Sequence, residues 1–128
     1  MIRILVADDN EVVRHGLKQL LSQHAGWEIC GEAVDGQEAV EKARSLSPDI
    51  VVMDFAMPVL NGIEAARQIH KTRPSIRFVL CSMYMDSQLA SVAREVGITS
   101  VLSKSNVGQV IRGVEAGLHG EAFSESKI

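Results

Sequence analysis

The sequence predicts an α/β fold, a single (βα)5 doubly wound parallel sheet with the flavodoxin-like strand order 2-1-3-4-5. Three observations carry this. Strand-like apolar runs and amphipathic stretches alternate five times at a spacing of about 25 residues, as βαβ units do. The run at 50–53 is apolar without a break, as a strand buried on both faces of a parallel sheet must be. Finally, the polar residues Asp8, Asp9, Asp54, Ser82 and Lys104 each stand at or just past the carboxyl end of an apolar run, the rim where open α/β sheets bind ligands.

Taken in order, the first strand is read at 2–7 and the first helix at 11–24, closed by Gly26. The second strand, 28–33, mixes charges into its apolar residues and so belongs at a sheet edge. Asp35 and Glu38 mark a helix start at 36, which runs to 46. After the central strand at 49–54, Asn61 and Glu64 give the same start signal for a helix over 62–72. A fourth strand spans 77–82. The next helix, 86–96, carries Leu89, Val92, Ala93 and Val96 at helical spacing and ends at Gly97. The fifth strand, 99–103, is diluted by Thr99, Ser100 and Ser103 and is expected at the other edge. Val107, Val110, Ile111 and Val114 form the stripe of a last helix over 106–118.

At 128 residues with 46% apolar and 23% charged side chains, the chain has ordinary globular composition and room for one domain. A formal charge of −3 favours neither a phosphate backbone nor an anionic membrane. Its apolar runs are strand-sized and no signal segment precedes Asp8, so a cytoplasmic protein without membrane contact is expected. Cys30 and Cys81, each inside a strand, read as small buried hydrophobes.

The rim excludes some chemistry. A dinucleotide or triphosphate site needs glycines after the first strand, but that loop is Ala7-Asp8-Asp9-Asn10, and no phosphate-binding loop follows elsewhere. Asp8, Asp9 and Asp54 together repel one another unless a cation or protons compensate, and an all-oxygen donor set suits Mg²⁺. Lys104 offers a point charge and Ser82 a hydroxyl to a phosphoryl group. With no histidine or cysteine on the rim, the nucleophile is a carboxylate able to form an aspartyl-phosphate, and Asp54 on the middle strand is best placed. Asp9 then ligates the metal directly, with Asp8 holding its waters.

These residues, with Ile4-Leu5-Val6-Ala7-Asp8-Asp9 and Asp54-Phe55-Ala56-Met57-Pro58-Val59-Leu60-Asn61-Gly62, resemble the receiver domain of two-component response regulators. Ser82-Met83-Tyr84 and Ala116-Gly117 are similar to the NarL/FixJ (LuxR-type) subfamily. The resemblance covers residues 1–118, leaving 119–128 as a tail or the start of a linker to an absent output domain. It implies that Asp54 accepts a phosphoryl group from a histidine kinase or phosphotransfer protein. It implies that Asp8, Asp9, Asp54 and the Ala56 backbone carbonyl bind Mg²⁺, and that Ser82 and Lys104 read the phosphorylated state. It also implies a switch surface on the fourth helix, fifth strand and fifth helix, usable for a homodimer. No nucleic-acid contact is expected from this segment; DNA would be bound by a C-terminal domain, and the only chemistry would be the chain's own phosphorylation and dephosphorylation. For kinase contact the first helix offers Arg14, His15 and Lys18.

Three positions modulate this reading. Val101 stands where the family usually has Tyr or Phe, so no ring can swing to report phosphorylation. Tyr84 and Ala56, each two positions past a site residue, flank the approach of hydrolytic water, and the Tyr84 ring is expected to shield the acyl phosphate. Two alternatives remain open: a stand-alone or pseudo-receiver acting by protein contact, favoured by Val101, and a Mg²⁺-dependent phosphohydrolase. The phosphohydrolase would need an acid/base two residues past the nucleophile, where the chain has Ala56.

Overall fold

All five residues of the strand Ile50–Asp54 are buried, and the rest of the sheet is laid out on either side of it. The computed structural model describes residues 1–83 and 87–124. The strands are β1 (Ile2–Ala7), β2 (Trp27–Ala33), β3 (Ile50–Asp54), β4 (Arg77–Ser82), β5 (Ser100–Ser103) and β6 (Phe123–Ser124), and the order across the sheet is β2-β1-β3-β4-β5-β6. Every pairing is parallel. Helices α1 (Glu11–Ser22), α2 (Gly36–Leu46), α3 (Gly62–Thr72), α4 (Ser87–Glu95) and α5 (Val110–Leu118) connect them. This is the expected flavodoxin-like fold.

The strands alternate between two cores, which is why their apolar runs are continuous. Leu5, Val51, Met53 and Leu80 face α2, α3 and α4, while Ile4, Val6, Ile50, Val52 and Val79 face α1 and α5. Met57 and Val101 join the first core, and Cys81 and Trp27 the second. Cys30 and Cys81 are both free thiols, and burial pushes the Cys30 thiol up.

Four expectations need correction. β5 is not an edge strand, because β6 pairs with it; its polar residues are not a sign of exposure, since Ser100 is buried and donates its hydroxyl to the Gly113 carbonyl at 2.8 Å. α1 ends at Ser22, and Gly26 instead shapes the following turn, with φ of 85° and its carbonyl accepting the Ile2 amide at 2.8 Å. α5 begins at Val110: residues 104–109 form a 3₁₀ turn, at whose start the Ser103 hydroxyl oxygen accepts the Ser105 amide at 3.2 Å and competes with helical bonding. Glu38 caps one residue earlier than a capping box would, accepting from Val34 N–H at 2.8 Å, whereas Asn61 and Glu64 form the complete box.

Close backbone packing seats the β3–α3 loop. The Gly36 amide donates to the Pro58 carbonyl at 3.2 Å, and a Cβ at Gly36 would lie 2.1 Å from the Leu60 carbonyl oxygen. Gly36→Ala is therefore expected to cost about 1–3 kcal/mol, read from urea unfolding as a lower midpoint at unchanged slope.

Candidate functional site

The carboxyl ends of β1, β3, β4 and β5 bring the predicted residues to one crevice. Asp8 follows β1 and is 1% exposed; its Oδ1 accepts the Asn10 amide at 2.8 Å, and Asn10 in turn caps α1. Asp54 closes β3 at 3% exposure. Its Oδ1 accepts the Ala56 amide at 3.3 Å and its Oδ2 takes the Lys104 Nζ at 3.0 Å. The same ammonium stands 3.1 Å from Asp8 Oδ2. Ser82 ends β4, is buried, and lies in register with Ser103, the residue before Lys104.

Asp8, Asp9 and Asp54 each offer a carboxylate oxygen within 4.8 Å of the others, with Asp9 exposed on the open side. One ammonium cannot balance three carboxylates. Asp8 Oδ2 is buried and, although Lys104 is near, receives no aligned hydrogen bond among the described residues. Hard oxygen donors, excess negative charge and an unsatisfied buried oxygen fit a divalent cation held by oxygen ligands.

Burial pushes the Asp54 carboxyl above its ordinary range; the Lys104 hydrogen bond opposes this and the nearby Asp8 charge adds to it. For Lys104, burial works against the ammonium, but the hydrogen bond to Asp54 and the Asp8 carboxylate 3.1 Å away outweigh it and hold the group above its ordinary value. The pair is thus poised as a carboxylate that resists ionisation and a cation that resists neutralisation.

Residues 4–114 match the family model of the response regulator receiver domain. The chain belongs to that family. It is 41% identical over 104 residues to the transcriptional regulatory protein LnrK of Bacillus subtilis, covering 81% of this chain and 47% of the relative. It is 36% identical to LiaR of the same organism over its whole length, which is 61% of LiaR. The chain therefore spans about half to three-fifths of these curated relatives. A solved LuxR-family two-component response regulator from Aurantimonas superposes with a TM-score of 0.90 at 34% identity, over 98% of this chain and 89% of that one. These likenesses fit the NarL/FixJ-type subfamily. Receivers of this family are phosphorylation-controlled switches, generally not conventional enzymes. They bind Mg²⁺ at an acidic pocket and interact with kinases or phosphotransfer proteins.

Of the modulating positions, Val101 is buried in the core under α4 and Ala56 is exposed, its amide on Asp54; Tyr84 lies outside the described residues. Sequence reasoning missed how Arg14 works. Its Nη1 donates to the Asp8 carbonyl at 2.8 Å while its Nε meets Glu32 Oε1 at 2.8 Å, and Lys18 Nζ lies 2.5 Å from Glu32 Oε2. Arg14 positions the Asp8 loop. The Lys18 and Arg14 hydrogen bonds also hold the Glu32 carboxyl below its usual range. The signal was two cations at i, i+4 on α1 with an acid on the adjoining strand, readable only once α1 and β2 are known to touch. Val59 was also missed: it is a β-branched residue at φ of 72°, 73% exposed, in the loop after Asp54.

A carboxyl whose folded pKa exceeds its unfolded one favours folding while protonated, and that contribution fades as pH climbs from the ordinary carboxylate value through the raised one. In metal-free buffer, Asp54→Asn is therefore expected to melt above the parent at neutral pH. The gap should close as pH falls below about 4, read from calorimetric melts across pH.

Proposed function

We propose that Asp54 accepts a phosphoryl group from a phosphohistidine, and that the domain controls a DNA-binding output region in a longer cytoplasmic regulator. The observation that carries this is the Asp54 carboxylate, buried at the end of the central strand with the Lys104 ammonium at 3.0 Å and two further carboxylates beside it. In transfer, a carboxylate oxygen of Asp54 forms the new O–P bond as the P–N bond breaks and its electron pair returns to the imidazole nitrogen. Lys104 turns from Asp54 to a phosphoryl oxygen, and the Ser82 hydroxyl donates to another. Asp8, Asp9, Asp54 and the Ala56 carbonyl are the Mg²⁺ donors; when bound, the ion neutralises the carboxylates and the phosphoryl oxygens. On this reading residues 1–118 are the receiver and 119–128 lead towards the output region.

Exposed apolar side chains support a docking surface at this rim. Among the described residues, the exposed Val12, Val34, Val59 and Met83 lie at the carboxyl-end rim that also holds the acidic crevice. A phosphohistidine-bearing partner that covers these side chains would exclude water from the transfer. Arg14 and Lys18, committed to Glu32, are poorer contacts than these side chains, while His15 stays exposed.

Incubation with acetyl phosphate and Mg²⁺ is expected to add one phosphoryl group by intact mass, and Asp54→Asn to abolish the gain; no gain in the parent would favour a pseudo-receiver instead. With an autophosphorylated histidine kinase that serves the parent domain, Val12→Asp is expected to slow transfer about tenfold, the scale of one lost interface contact, with the acetyl phosphate rate unchanged.

A further inference from the structure

Behind α5 the chain turns back on itself. Gly120 at φ of 71° donates its amide to the Gly117 carbonyl at 3.1 Å, and the Glu121 amide reaches the Ala116 carbonyl at 2.8 Å. That is a Schellman closure, which ends a helix and reverses the chain. The reversal delivers Phe123–Ser124 to the open side of β5 as β6, with the Phe123 amide donating to the Thr99 carbonyl at 2.9 Å. The Phe123 ring packs against the α1–α5 core, with the Arg112 guanidinium 5.9 Å from its centroid.

We infer that the edge of β5 is a docking site for the segment following α5, and that this docked strand carries the state of the Asp54 site outward where Val101 provides no ring. The inference rests on the proposed phosphoryl acceptance. Its basis is register: β5 is four residues long, Ser100 pairs with Phe123 and Val101 with Ser124, and Lys104 follows β5 directly. A pull on Lys104 therefore acts on a short strand whose outer neighbour is the tail. The pairing is parallel, so β6 runs towards the rim that holds Lys104. A two-residue strand with one half-buried ring adds little free energy to the sheet, so its docked and released states lie close enough for a modest displacement to shift their populations.

Hydrogen exchange of the residue-123 amide, followed by NMR on the whole chain, tests this. In the unmodified protein that amide is expected to exchange at least about tenfold slower than an unstructured one, as a docked strand's should. Phe123→Ala, which keeps the amide, should remove most of that protection, and the surface change Arg112→Ala part of it, with β3 and β4 amides unaffected in both. Exchange at unstructured rates, or protection indifferent to Phe123→Ala, overturns the docking site. Adding beryllium fluoride and Mg²⁺ should change the residue-123 rate about threefold or more in the parent and leave Asp54→Asn unchanged. If the Ser82 and Lys104 resonances shift while the residue-123 rate does not, the coupling is overturned and phosphoryl acceptance stands. If neither responds, phosphoryl acceptance fails and the coupling with it, while the slow exchange of the first measurement still supports the docked strand.

Discussion

Two buried carboxylates repel each other unless a cation or a proton compensates, and here Lys104 supplies the cation, 3.0 Å from Asp54 and 3.1 Å from Asp8. The sheet order makes this a demand on side-chain length. β5 lies two strands from β3, about 10 Å at ordinary strand spacing, so the charge at its end must travel on a long flexible stem. The intervening strand ends in Ser82, small enough to be crossed. Strand order, a lysine on the outer strand and a small residue between form one solution to one electrostatic problem.

Much of this was legible in the sequence because it follows from periodicity and strand ends. The unbroken 50–53 run identified the middle of the sheet, and the residues just past four runs identified the crevice. What escaped depends on contacts between distant segments or on backbone geometry. Ser100 looked like an edge residue because its polarity shows in the sequence and its buried bond to Gly113 does not. The tail strand has two residues, too few for an alternating pattern. The tie from Arg14 through Glu32 to the Asp8 loop needs α1 laid against β2.

Charge and apolar surface share one end of the sheet. Val12, Val34, Val59 and Met83 are exposed in the loops and helix start at the same end of the sheet as the acidic crevice, so a partner seated on them would also lie over the carboxylates. Covering matters because Coulomb attraction strengthens as water leaves. On the proposed reading, the surface that would hold a partner and the crevice that would take the phosphoryl group share one boundary.

Val59 holds a left-handed backbone without burying its side chain in return. Such a conformation costs on the order of 1–3 kcal/mol, and the neighbouring anchors, among them the Gly36 bond to Pro58, must supply it. The segment between Asp54 and α3 thus starts part-way up its own energy hill. Under heat or denaturant that stored strain shortens the climb to disorder for the turn that follows Asp54.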